Sequence, residues 1–261
     1  MTRRRATLGL LSVALLSSCT VGQDEEVRIG RENAAQVNAQ LRIVQDRAVA
    51  DYVQAIGRDL ANRTARADLD WRFFVVDDDA VNAFALPGGF IYVNRGLIDR
   101  ADRLDELAGA LGHEIGHVVR RHSVQQMQTG SRANAAVSLT CSLTGWCDNT
   151  VARAAIQVGG AALFARYSRQ DEAEADSEAV VIVRQAGIDP EGIPALFERL
   201  MQERRDAPLT IEAYFASHPL EEDRVRATRR QIQALSPVGG QRLVRDDPSY
   251  AAFRDRLART R

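Results

Sequence analysis

Lysine is absent: all 34 basic residues among the 261 are arginine. Chemistry that needs a lysine amine, such as a Schiff base or the phosphate-binding lysine of a P-loop, is thereby excluded. Histidine is scarce, with 4 in the chain, at positions 113, 117, 122 and 218. Only 3 cysteines are present, too few for a disulfide-built scaffold, and 18 glycines without a repeat exclude a collagen-like chain. A charge excess is missing too, since 34 basic residues face 35 acidic ones. A nucleic-acid-binding surface ordinarily shows a basic surplus, and this chain has none. With 26 % charged residues and no clean apolar run of the ~20 residues that a spanning helix needs, a multi-span membrane protein is also excluded.

What is present begins at the N-terminus. Arg3, Arg4 and Arg5 precede a short apolar run, Ala6 to Leu16, and Leu16-Ser17-Ser18-Cys19 follows. That box is similar to the one cut by the bacterial lipoprotein signal peptidase. The run is too short to cross ~30 Å of hydrocarbon, so residues 1–18 are expected to be an export signal. Cys19 then becomes an acylated N-terminus that anchors the chain in a bilayer. Thr20, in place of a retention aspartate, points to the outer membrane of a bacterial cell envelope, facing the periplasm. Residues 19–26 are expected to be a polar tether, and residues 27–261 a single domain. In an oxidising compartment Cys141 and Cys147 either close a small disulfide loop or remain two buried thiols.

Apolar residues recur at three and four from Glu25 to about Arg66, which predicts one or two amphipathic helices with a break near Asp46. Trp71 to Val76 is aromatic and β-branched, a strand. Asn82–Leu86 and Phe90–Asn94 flank Pro87-Gly88-Gly89 and read as a hairpin. Asp105 to His122 reads as a helix with Leu107, Leu111, Ile115 and Val118 on its apolar stripe. Further helices are expected over about 151–167, 169–186, 191–205 and 221–235, with a short amphipathic turn over 249–257. The sum is an α+β, predominantly helical domain with a small antiparallel β-sheet.

His113-Glu114-Ile115-Gly116-His117 lies inside the most periodic of these helices. Four residues advance ~400° at ~100° each, so the two histidines leave one face a turn apart. From there two imidazole nitrogens can reach one Zn²⁺ at ~2.0–2.1 Å, with Glu114 placed to act on water rather than to bind the metal. His122 stands ~140° round from His117 on a continuous helix and reads as a polar residue near its C-terminus. A catalytic zinc needs a third protein ligand and an open position. Tyr167 to Asp176 offers Glu172 and Asp176, four apart on one face, although the same segment also reads as an acidic, solvated helix start.

The motifs Asn82-Ala-Phe-Ala-Leu-Pro-Gly-Gly89, HEIGH, SRQDEAEAD (168–176) and Ser217-His218-Pro219 with Arg224 occur in that order. Together they resemble the gluzincin metalloprotease family of HtpX, BepA and the CAAX prenyl endopeptidase, in its soluble, lipoprotein-type bacterial branch. The similarity runs from about Glu25 to the C-terminus. It implies a zincin-like fold with an HExxH active-site helix and one Zn²⁺ per chain, held by His113, His117 and Glu172. It implies further that Glu114 is the general base and that Asp176 supports a ligand histidine. His218 then lies on a loop near the metal, where it can keep the enzyme latent, and Arg224 steadies an oxyanion.

Zincins bind substrate as an added strand, here along Asn82, Ala83, Phe84 and Ala85 or along Phe90–Asn94. Only an exposed backbone can pair in this way. The expected substrates are therefore unfolded or misassembled envelope polypeptides, with membrane contact through the lipid anchor alone and no nucleic acid. The competing reading is a lipid-anchored chaperone or assembly module with a structural or latent metal site. Glu114 argues against it, because a structural site has no use for that carboxylate.

Overall fold

The computed structural model describes residues 21–129, 167–206, 211–235 and 242–260. The signal segment, Cys19, the Cys141 and Cys147 pair and all but the last residue of the helix expected over 151–167 lie outside the described residues.

The first amphipathic stretch divides into α1 (Gln23–Gln40) and α2 (Arg47–Ala61). The division falls where expected, because the Asp46 carboxylate accepts from the N–H groups of Ala48 and Val49, at 3.0 and 3.1 Å, and caps α2. Part of the segment expected as a tether over 19–26 is helical. Gln23–Glu26 form the first turn of α1, since buried Glu26 is tied to Arg66 and Arg121, each at 2.7 Å. Those partners are remote in sequence, so local polarity alone misread the segment.

Three strands follow: β1 (Arg72–Val76), β2 (Ala83–Leu86) and β3 (Phe90–Asn94), in the order β1-β3-β2. The hairpin of β2 and β3 is antiparallel as expected, and its turn uses Gly88 and Gly89 at φ of 78° and 97°. β1, however, pairs parallel to β3, so the sheet is mixed rather than antiparallel. The cause is burial: Ile91, Tyr92 and Val93 of β3 are at most 1 % exposed, and this strand takes the centre. Phe90–Asn94 is therefore hydrogen-bonded on both sides, and β2 is the edge. The outer side of β1 meets residues 42–44, where Val44 N–H donates to the Val75 carbonyl at 2.9 Å.

One face of the sheet packs on α2 and α4 (Leu104–Val119). The other carries the ring stack Phe74–Tyr92–Phe84, with centroids 4.8 Å apart at each step, against Ala34 and Val37 of α1 and Leu41 just beyond it. α4, which follows the short α3 (Arg95–Arg100), is buried along its length, with Leu107, Leu111 and Ile115 fully enclosed. It stops at Val119, short of the expected His122, because Arg121 adopts φ 60° and a new helix, α5, occupies 122–129.

The rest of the described chain is α6 (Arg169–Gln185), α7 (Gly192–Asp206), α8 (Glu212–Ser217), α9 (Glu222–Ala234) and α10 (Pro248–Ala258). α6 lies directly along α4. A Cβ on Gly116 would come within 2.7 Å of the Ala175 carbonyl oxygen, so the approach requires glycine there. Among the described residues no helix is long and apolar enough to cross a membrane.

Candidate metal centre

α4 carries His113 and His117 one turn apart, with their Nε2 atoms 3.1 Å from each other. α6 brings Glu172 to them: Oε1 lies 3.4 Å from His117 Nε2, and Oε2 lies 3.6 Å from His113 Nε2. The end of α8 adds His218, whose Nδ1 is 3.3 Å from His113 Nε2 and 3.0 Å from Glu172 Oε1. The four ligand atoms all lie within 4.8 Å of one another, and each side chain is at most 1 % exposed. Two donors bound ~2.1 Å from a tetrahedral zinc are ~3.4 Å apart, which matches these spacings. Three imidazoles and a carboxylate are also the donor types that a first-row divalent ion selects. The residues thus fit a single zinc-sized ion.

Electrostatics agree with that fit. Burial drives the His117 pKa well below the ordinary imidazole value, which keeps a nitrogen lone pair available. Burial alone would raise Glu172, but His218, His117 and His113 pull it far below the usual carboxylate range and keep it ionised. Glu114, also buried, is pushed up by desolvation; its Oε1 is 3.5 Å from His218 Nε2, and its Oε2 has no hydrogen-bond partner among the described residues. A carboxylate with raised proton affinity and an uncommitted oxygen is equipped to accept a proton.

Asp176, on the same face of α6 as Glu172, lies 2.9 Å from His113 Nδ1. Arg224 of α9 donates to Asp176 through Nε at 2.8 Å and Nη2 at 2.7 Å, and through Nη1 to Glu172 and to the Pro219 carbonyl. Burial would weaken the charge on Asp176, yet Arg224 and His113 hold its pKa below the usual value. Arg224, which the resemblance assigns to an oxyanion, is here engaged with carboxylates. The guanidinium is turned onto two buried carboxylates, because uncompensated anions in this interior are far costlier than an unoccupied surface cation.

The acidic segment from Tyr167 to Asp176 divides between both of its readings. Glu172 and Asp176 face inward, and Ser168 caps α6 through a reciprocal box with Asp171. Two participants escaped sequence reasoning. His122 is 1 % exposed, with Nδ1 only 2.9 Å from His117 Nδ1. Tyr167 stacks on the His117 ring with centroids 3.8 Å apart. The ~140° offset of His122 from His117 holds only on a continuous helix, and Arg121 interrupts it. Histidine scarcity was the available signal, since all 4 histidines of the chain gather here.

Along β2, Asn94 N–H donates to the Asn82 carbonyl at 2.9 Å. Antiparallel alternation then turns the backbone groups of Phe84 and Leu86 toward β3, and those of Ala83 and Ala85 outward.

Residues 47–232 match Peptidase family M48. The chain is 26 % identical over 243 residues to the beta-barrel assembly-enhancing protease of Escherichia coli (strain K12), covering 89 % of this chain and 48 % of that protein. It is 31 % identical over 178 residues to metalloprotease YcaL of the same strain, covering 68 % of this chain and 67 % of YcaL. With metalloprotease LoiP, also of that strain, identity is 29 % over 188 residues, 71 % of each chain. The chain spans about half the length of the assembly-enhancing proteases it matches. A match over most of its length, on a frame that gathers the HExxH histidines with Glu172, places this chain in peptidase family M48, with a zincin-like fold.

Proposed function

We propose that this protein is a zinc-dependent endopeptidase of the bacterial cell envelope that hydrolyses peptide bonds of unfolded or misassembled envelope proteins. The observation that carries this reading is the convergence of four buried ligand atoms, from α4, α6 and the end of α8, beside the uncommitted Oε2 of Glu114. His113, His117 and Glu172 would hold the zinc, which when bound would supply Lewis acidity to polarise a scissile carbonyl and acidify water. Glu114 takes the proton of the attacking water at Oε2 and passes it to the leaving amine. Asp176 and Arg224 hold His113 and Glu172 in place.

The outward backbone groups of Ala83 and Ala85 receive the substrate as an added strand, which explains a preference for chains whose backbone is exposed. His218 sits against both Glu172 and Glu114 and restrains the site until it is displaced. The similarity to the beta-barrel assembly-enhancing protease of E. coli supports an envelope substrate. Export by residues 1–18, acylation of Cys19 and an outer-membrane anchor facing the periplasm complete the proposal.

The test compares zinc content and β-casein cleavage for the mature protein, Glu114→Gln and Glu172→Ala. Glu114→Gln should keep its metal and lose turnover, and Glu172→Ala should lose the metal. Full cleavage by Glu114→Gln overturns the mechanism. A lipid-anchored assembly module with a structural metal site would show bound zinc and no cleavage by the wild type.

A further inference from the structure

We infer that His122 is a positioning residue of the metal centre, which sets the tautomer and ring orientation of His117 from the side remote from the ion. The inference rests on the reading of His117 as a zinc ligand. It starts from the backbone. α4 ends at Val119, and Arg121 reverses the chain at φ 60°. Arg121 is held in that conformation by Nε on buried Glu26 at 2.7 Å and by Nη2 on the Val21 carbonyl at 2.5 Å. The reversal starts α5 with His122 and Ser123 facing back toward α4.

These two consecutive side chains hold two sides of one ring. His122 Nδ1 meets the His117 edge at 2.9 Å. Ser123 Oγ is 2.9 Å from the Tyr167 hydroxyl, and Tyr167 lies flat on the His117 face. Tautomers follow from the ligand geometry. His117 Nε2 points into the ligand cluster and must offer a lone pair, so its proton is on Nδ1 and is donated to His122 Nδ1. His122 is then neutral with its proton on Nε2, which faces Asp171 Oδ1 at 3.7 Å and Glu174 Oε2 at 3.6 Å.

The two ligand histidines are thus supported differently. His113 has the anionic Asp176 behind it, whereas His117 has an imidazole. A second carboxylate in that place would add negative charge to a site already holding Glu172. A neutral acceptor orients the ring without doing so.

The test measures zinc affinity by chelator competition, the cobalt(II) absorption spectrum and the melting of metal-free protein, for the wild type, His122→Ala, His122→Asn and His122→Phe. His122→Ala should bind zinc about 10–100-fold more weakly, with an altered cobalt spectrum and a metal-free melting temperature close to wild type. His122→Asn, whose carbonyl can accept from His117 Nδ1–H, should recover most of the affinity. Zinc affinity within twofold of wild type and an unchanged cobalt spectrum for His122→Ala overturn the inference. Should His122→Ala not fold, the comparison of Asn with Phe decides, and equal affinities overturn it. Failure of the wild type to bind zinc removes the metal centre itself, an outcome distinct from tight wild-type binding that His122 variants leave unchanged.

Discussion

Arg224 binds Asp176 through two parallel hydrogen bonds, at 2.8 and 2.7 Å, and reaches Glu172 with the remaining arm of the same guanidinium. One cation therefore compensates both inward-facing carboxylates of α6. Removing it as Arg224→Met should cost the metal-free protein about 3–5 kcal/mol, the usual loss when one partner of a buried ion pair is deleted. On the proposed ligation, zinc would compensate Glu172, so the loss should shrink in the loaded protein. Urea unfolding with and without zinc measures the difference, and equal losses in both forms would contradict it.

Gly116 separates α4 from α6 by less than a methyl group allows. Gly116→Ala should cost about 1–3 kcal/mol through overpacking and also weaken zinc binding, because the displaced helix carries Glu172. Gly109 provides the control: its Cβ would press on Ile193 of α7 at 2.8 Å, away from the cluster. Gly109→Ala should lower stability while zinc affinity stays unchanged. Denaturant unfolding and chelator competition on both variants check this.

Buried Glu26 ties α1 to Arg66, to Arg121 and to the backbone N–H of Gly88 at 3.2 Å. Glu26→Ala leaves two arginines without their shared anion, and about 3 kcal/mol or more should be lost. The N-terminal helix should then become the first segment cut in limited proteolysis. A digestion pattern identical to wild type would show that the network does not hold α1.

His218 contacts Glu172 and approaches Glu114, and it is not among the three proposed catalytic ligands. His218→Ala should retain zinc and cleave β-casein faster, at least several-fold. An unchanged or lower rate removes the restraining role.

The outward amides of β2 alternate, so a substrate strand added there would pair at every second residue. N-methylation of a peptide substrate should abolish cleavage at one set of alternate amides and be tolerated at the other. Equal tolerance in both registers would rule out strand addition.

The elements legible from the sequence were those governed by local pattern. The α2 cap at Asp46, the Pro87-Gly88-Gly89 hairpin and the helix bearing His113 and His117 each follow from turn chemistry or a 3.6-residue period, which need no distant partner. The site itself was legible as far as residue type and spacing reach. Glu172 and Asp176 were singled out by their shared helical face, and both point inward. The features that local pattern does not reveal share a cause. The parallel pairing of β1, the folding of residues 23–26 and the Arg224 contacts all depend on partners far away in the chain.

Sequence alone determined which groups are available: no lysine, four histidines, a glutamate beside two of them, and a glycine where two helices touch. Tertiary structure decided which of these groups meet. Arg121 turns the chain to bring His122 beneath His117, and α9 delivers Arg224 to α6. Such contacts are set by the packing of whole elements against one core, where burial forces each charge to find a partner, and no local spacing encodes which partner that is.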